Sequence, residues 1–186
     1  MSSESSYLYW LIVGCEAAFW LVLVLALSAR YLLQRNAVSR ALLFALPAVD
    51  MLLLVFTAAD LRAGTSATFA HGLATAYVGF TVAFGPVAVR WADRYFAHWF
   101  ASGPPPVAAA AHGWTAVRQE LVLWLRCVVA WAITVALLIA LIAYVDKQAV
   151  TRELDLWFRI AVGSVVLWFA FGPMWSLLFF RREAAK

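Results

Sequence analysis

The stretch from Glu120 to Tyr144 reads ELVLWLRCVVAWAITVALLIALIAY, an apolar run broken only by Arg126 close to its start. A membrane β-strand would alternate apolar and polar residues over about ten positions. Here the apolar character is continuous over about twenty, the length a helix rising 1.5 Å per residue needs to cross a hydrocarbon core of about 30 Å. Lipid offers no hydrogen bonds, so every backbone N–H and C=O in such a run must be paired within it. An α-helix does this residue by residue.

Four more runs of this kind flank it, giving expected helices at 7–33, 40–60, 68–90, 120–144 and 154–180. Composition agrees: 66% of the 186 residues are hydrophobic and 13% are charged, about half the charged share of soluble domains. A water-soluble core of this length could not hide so much apolar surface. The expectation is an all-α polytopic membrane protein, one transmembrane domain over residues 1–186 with five spanning helices. The second and fourth breaks, Leu61 to Ala67 and Val145 to Glu153, are short enough for antiparallel hairpins. Met1 to Ser6 carries one acid and no base, and the run that follows exceeds a signal peptide's apolar segment. It reads as a retained first helix.

Basic residues set the orientation. Arg30, Arg35 and Arg40 border the first loop, Arg90, Arg94 and Arg118 the third, and Arg181, Arg182 and Lys186 the tail. The opposite loops hold Arg62, Lys147 and Arg152. With five crossings the N-terminus is outside and the C-terminus inside. The net charge of +4 is therefore a topological signal, and the expected partner is the lipid bilayer, not nucleic acid. Residues 90–100 continue the third helix with Trp91, Tyr95, Phe96, Trp99 and Phe100 on one face, the pattern of an amphipathic interfacial segment, until Gly103-Pro104-Pro105-Pro106 stops it. Trp10 and Trp157 fall near outer ends, and Trp91, Trp99, Trp114, Trp124 and Trp175 near inner ones, as an aromatic belt. Trp20, Trp131 and Trp168 lie deeper, where packing between helices is expected.

Ionisable groups at membrane depth carry the functional reading. Arg126 and Arg159 stand near helix ends and can snorkel to the interface. Asp50, near the middle of the second helix, and Glu16, about a third of the way down the first, cannot. Each is protonated, paired with an arginine or open to a water-filled cavity. Pro47 lies one turn before Asp50 and frees a backbone carbonyl there. Asp50 beside that break suits a cation or proton site, or a protonated acid bonded to a neighbouring helix. Glu16, His71 and Arg159 have comparable depths and can form one outer polar cluster if their helices meet. A histidine beside a carboxylate titrates near neutrality. The alternative is a structural ion pair with a separate histidine.

A faint repeat offers hinges as well. Arg40 to Asp60 and Arg126 to Asp146 span equal distances, and each is followed by a helix containing Ala-Phe-Gly-Pro, ending at Pro86 and Pro173. Pro47, Pro86 and Pro173 are thus kink or hinge candidates, against tolerated kinks. No nucleotide loop, nucleophile elbow or zinc-protease motif is present. Cys15 and Cys127 sit in spans without metal spacing. His98 and His112 fall outside the spans, which disfavours a bis-histidine haem. No catalytic residue, metal or cofactor is expected.

Arg90-Trp91-Ala92-Asp93-Arg94, continuing through Phe96-Ala97 to Gly103-Pro104-Pro105-Pro106, resembles the YmcC-like bacterial membrane proteins. Ala70-His71-Gly72-Leu73-Ala74 and Val82-Ala83-Phe84-Gly85 fit the same group, and the resemblance is firmest over residues 45–106. It implies a small integral protein of the bacterial plasma membrane and carries no site assignment. The leading functional expectation is a small transporter, channel or ligand-binding protein using Glu16, Asp50, His71 and Arg159. The alternative is a non-catalytic accessory subunit, bound to another membrane protein or to itself as a homo-oligomer.

Overall fold

The computed structural model describes residues 3–106, 113–146 and 152–178, without the side chains of 3–9, 11–13, 15, 16, 44, 46, 47, 49, 50 and 152. Among the described residues there is no strand. The helices are α1 (Ser3–Tyr31), α2 (Asn36–Arg62), α3 (Phe69–Phe100) and α4 (Gly113–Val145), then a 3-10 turn (Arg152–Leu154), α5 (Asp155–Phe169), a π-helical turn (Ala170–Met174) and α6 (Trp175–Leu178). Asp155–Leu178 is one helical rod of 24 residues. It and the 32- and 33-residue helices α3 and α4 are each long and apolar enough to cross a membrane. By their rise, α3 and α4 extend over about 50 Å and overrun a hydrocarbon core at one or both ends.

In this arrangement α1 lies along α2, α3 lies along α4, and α3 also touches both α1 and α2. The α5–α6 rod packs on α4. Where lipid removes the hydrophobic drive between helices, close van der Waals approach holds them together, and small residues permit it. Gly72, Ala76, Gly79 and Ala83 recur at helical spacing on α3. A Cβ on Gly79 would strike the Thr134 hydroxyl and come within 2.6 Å of the Ala130 carbonyl oxygen. A Cβ on Gly72 would overlap the Trp157 indole. The buried hydroxyls of Thr57, Thr75 and Thr134 bond the carbonyls of Leu53, His71 and Ala130 in their own helices at 2.9, 3.0 and 2.9 Å, so burial leaves none of them unpaired.

Aromatic rings fill the seam between α3, α4 and the last rod. Phe80 meets Trp131 edge-on at 5.3 Å and stacks on Phe84, which in turn stacks on Trp168 at 6.0 Å. Trp157 packs against Phe69 and Trp131. Two tryptophans depart from the sequence reading. Trp157, assigned there to the outer belt, is only 3% exposed because the bare backbone of Gly72 leaves a slot for its ring. Trp20, expected between helices, is 45% exposed.

α3 runs unbroken through Pro86 and on from Arg90 to Phe100, so the aromatic segment continues the helix that precedes it. Trp91, Tyr95 and Trp99 form a ladder there with ring separations of 4.6 and 5.8 Å. The two Ala-Phe-Gly-Pro segments differ in form. Pro86 sits within regular α-helix, whereas buried Pro173 lies inside the π-helical turn. A π turn widens the helix and accommodates the carbonyl that proline leaves without its usual partner. α2 stays helical across Pro47, whose side chain lies outside the described residues.

Candidate functional site

A polar network joins the end of α2 to the start of α3. Thr68 caps α3 from an extended conformation, and His71, at the third helical position, closes a capping box with it. Histidine here takes the place that Glu or Gln usually holds in this motif. The Thr68 backbone N–H donates to His71 Nδ1 at 3.1 Å. A nitrogen that accepts carries no proton, so the ring proton is on Nε2, which donates to Asp60 Oδ2 at 2.9 Å. The other Asp60 oxygen accepts from the Thr65 hydroxyl at 3.1 Å. His71 is 1% exposed and the Asp60 side chain 39%. A carboxylate in contact with solvent is thereby linked to an imidazole sealed inside the bundle.

The sequence marks out His71 without its partner. In the sequence Asp60 is only the last residue of an expected span, eleven positions away across a loop. The signal that could have paired them is the Asp60…Thr65…Thr68…His71 spacing around a short turn, with Thr68 as cap.

Of the other expected site residues, Arg159 is exposed on α5, and His71 has Asp60 and Thr68 as its partners in its place. The side chains of Glu16 and Asp50 lie outside the described residues. Their backbone positions are described: Glu16 is on α1 and Asp50 on α2. Since α1, α2 and α3 touch one another, the helices bearing Glu16, Asp50 and His71 form a contiguous group. The helix bearing Arg159 packs on α4 and, through Trp157, meets α3 at Phe69 and Gly72. Between α1 and α3 lies a groove of about 200 Å³ lined by Phe19, Trp20, Tyr77, Phe80 and Thr81 among others. Glu16 stands one helical turn before Phe19 and Trp20.

Arg126 does more than its place near a helix end suggested. Its guanidinium donates to the Ala83 carbonyl on α3 at 3.2 Å, at the first residue of the Ala-Phe-Gly-Pro segment. Two residues before it, the Trp124 indole donates to the Val165 carbonyl on α5 at 3.1 Å. Two donors from α4 thus tie it to the helices on either side. At the end of the bundle opposite His71, Asp93 on α3 accepts from Arg30 at 3.3 Å and from the Tyr31 hydroxyl at 3.0 Å, both on α1. Among the described residues no group of three His, Cys, Asp or Glu side chains could hold a metal ion.

The chain is 36% identical over 160 residues to the uncharacterized membrane protein YmcC of Bacillus subtilis strain 168, a match covering 86% of this chain and 82% of that protein. The likeness read from residues 45–106 thus extends over most of the sequence. No protein-family model and no solved structure matches the chain.

Proposed function

The chain belongs to the family of the membrane protein YmcC, and on that premise we propose that it is a multi-pass protein of the bacterial plasma membrane that binds a small cation or proton between α1, α2 and α3, in a transport role. Five crossings, formed by α1 to α4 and the α5–α6 rod, put the N-terminus outside. The Asp60–His71 network then faces the outer side. Arg30, Arg40, Arg90 and Arg94 stand at the inner end, in keeping with the preference of cytoplasmic borders for positive charge.

The observation that carries the binding role is the mutual packing of the three helices that bear Glu16, Asp50 and the buried His71. Carboxyls at such depth are costly unless protonated, paired or hydrated, and a cation or proton bound between them removes the cost. The groove beside Phe19 and Tyr77 gives that helix group a recess on the α1–α3 face.

Thermal unfolding of the purified protein in detergent, across Na⁺, K⁺ and Mg²⁺ and from about pH 5 to 8, tests this reading. A cation that binds only the folded state stabilises it by about 2.7 kcal/mol at a hundredfold excess over its dissociation constant. The expected result is a saturable upward shift with one cation or with pH, lost in Asp50→Asn and Glu16→Gln while both variants stay helical. Equal responses from wild type and both variants would reject it.

A further inference from the structure

At the inner end of the bundle, a second feature stands apart from the Asp60–His71 network. A pocket of about 390 Å³ opens where α1 ends and α2 begins, lined by Arg30, Asn36, Ser39, Arg40 and Leu43. Asn36, Ser39, Arg40 and Leu43 are spaced three, one and three residues apart, so one face of the first two turns of α2 forms most of the wall. Arg30 closes it from α1.

The wall is polar and positive. Arg30 shares its charge with Asp93, but Arg40 has no acidic partner among the described residues. The leading N–H groups of α2 add partial positive charge beside it, since a helix start leaves its first amides without carbonyl partners. Ser39 supplies the independent sign of a ligand. The residue is 1% exposed, it lines the pocket, and its hydroxyl makes no hydrogen bond with any described residue. A hydroxyl so enclosed, with no acceptor among the described residues, can donate to a ligand oxygen in the pocket.

We propose that this pocket binds a phosphate group, with Arg40 and Arg30 neutralising its charge and the Ser39 hydroxyl and Asn36 amide donating to its oxygens. Arginine's forked donors suit phosphate geometry. The source the surroundings favour is an anionic phospholipid headgroup. Leu43 packs with Val89 and Phe96 around Leu23, Leu27 and Ala92, which brings the pocket to the level of the Trp91–Tyr95–Trp99 ladder. Aromatic rings of this kind concentrate where headgroups lie.

The test measures thermal stability and, by native mass spectrometry, lipid adducts of the full chain in micelles doped with phosphatidylglycerol or with phosphatidylcholine. A parallel arm titrates inorganic phosphate against chloride at equal ionic strength. The expected result is saturable stabilisation by phosphatidylglycerol over phosphatidylcholine, weakened about tenfold in Arg40→Gln and reduced in Ser39→Ala. Arg94→Gln, an exposed charge outside the pocket, keeps the wild-type response. A shift with phosphatidylglycerol alone identifies a headgroup site. A shift with inorganic phosphate, lost in the same two variants, identifies a phosphate site open to water. No shift in either arm, or a shift that survives in both Arg40→Gln and Ser39→Ala, overturns the proposal. Ser39→Ala removes one oxygen and leaves the packing intact, so the outcome does not hang on how Arg40→Gln folds.

Discussion

His71 does two jobs with one ring. It caps α3 through Nδ1 and anchors α2 through the Nε2 bond to Asp60. His71→Ala removes both bonds and leaves a void, with an expected cost of about 2–4 kcal/mol. Asp60→Ala strands the buried Nε2–H and is expected to cost about 1–3 kcal/mol. Asp60→Asn keeps a carbonyl acceptor and should stay within about 1 kcal/mol of wild type. Unfolding in mixed detergent micelles measures all three, and an Asp60→Ala protein as stable as wild type would mean that the bond carries no stability. This pairing was hidden in the sequence because capping boxes are recognised by Glu or Gln at the position His71 occupies. The depth of His71 could be estimated from its place in a run. The partner that decides what the ring does depends on how the loop from Ala63 to Ala67 folds back.

Helix existence was legible at the next scale, since each run holds about twenty or more predominantly apolar residues and the helices continue through their prolines. What continuity of hydropathy cannot convey is which face meets which neighbour. In lipid both the packed and the exposed faces are apolar, and the helical pattern that marks a buried stripe in a soluble protein is blurred. Trp157 and Trp20 exchange their expected places for that reason. The informative signal is small-residue spacing: Gly72, Ala76, Gly79 and Ala83 mark the face of α3 that receives Trp157 and α4. Gly79→Ala is expected to lower stability by about 1–3 kcal/mol because its methyl meets the α4 backbone, which cannot move aside as a side chain would. Gly163→Ala, with nothing within 4 Å of the new methyl, should be neutral or stabilising by up to about 1 kcal/mol through helix propensity. The same unfolding assay separates them, and a reversed order would contradict the packing of α3 on α4. The Ala-Phe-Gly-Pro repeat was also visible in sequence. Its two local forms, α at Pro86 and π at Pro173, depend on packing that the repeat does not encode.

At the scale of the whole molecule, the ion pairs among the described residues stand at the two ends. One end holds Asp60, Thr65, Thr68 and His71; the other holds Arg30, Arg40, Asp93 and the aromatic ladder. Between them, the buried Thr57, Thr75 and Thr134 hydroxyls bond within their own helices, and aromatic rings pack along the seam of α3, α4 and the last rod. Membrane class was legible from composition and run length alone, and family from local motifs between residues 45 and 106. The deep carboxyls Glu16 and Asp50 raise the expectation of a site without giving its geometry, because depth along a helix leaves open which neighbours a side chain meets. Both the proposed cation site and the phosphate pocket take their sidedness from one claim, five crossings with the N-terminus outside. Reporter fusions in a bacterial host test it most directly, with GFP or alkaline phosphatase joined at Gly64 and at the C-terminus. The account predicts active phosphatase and dark GFP at Gly64, and fluorescent GFP with inactive phosphatase at the C-terminus. Active phosphatase at the C-terminus, or fluorescent GFP at Gly64, would contradict it.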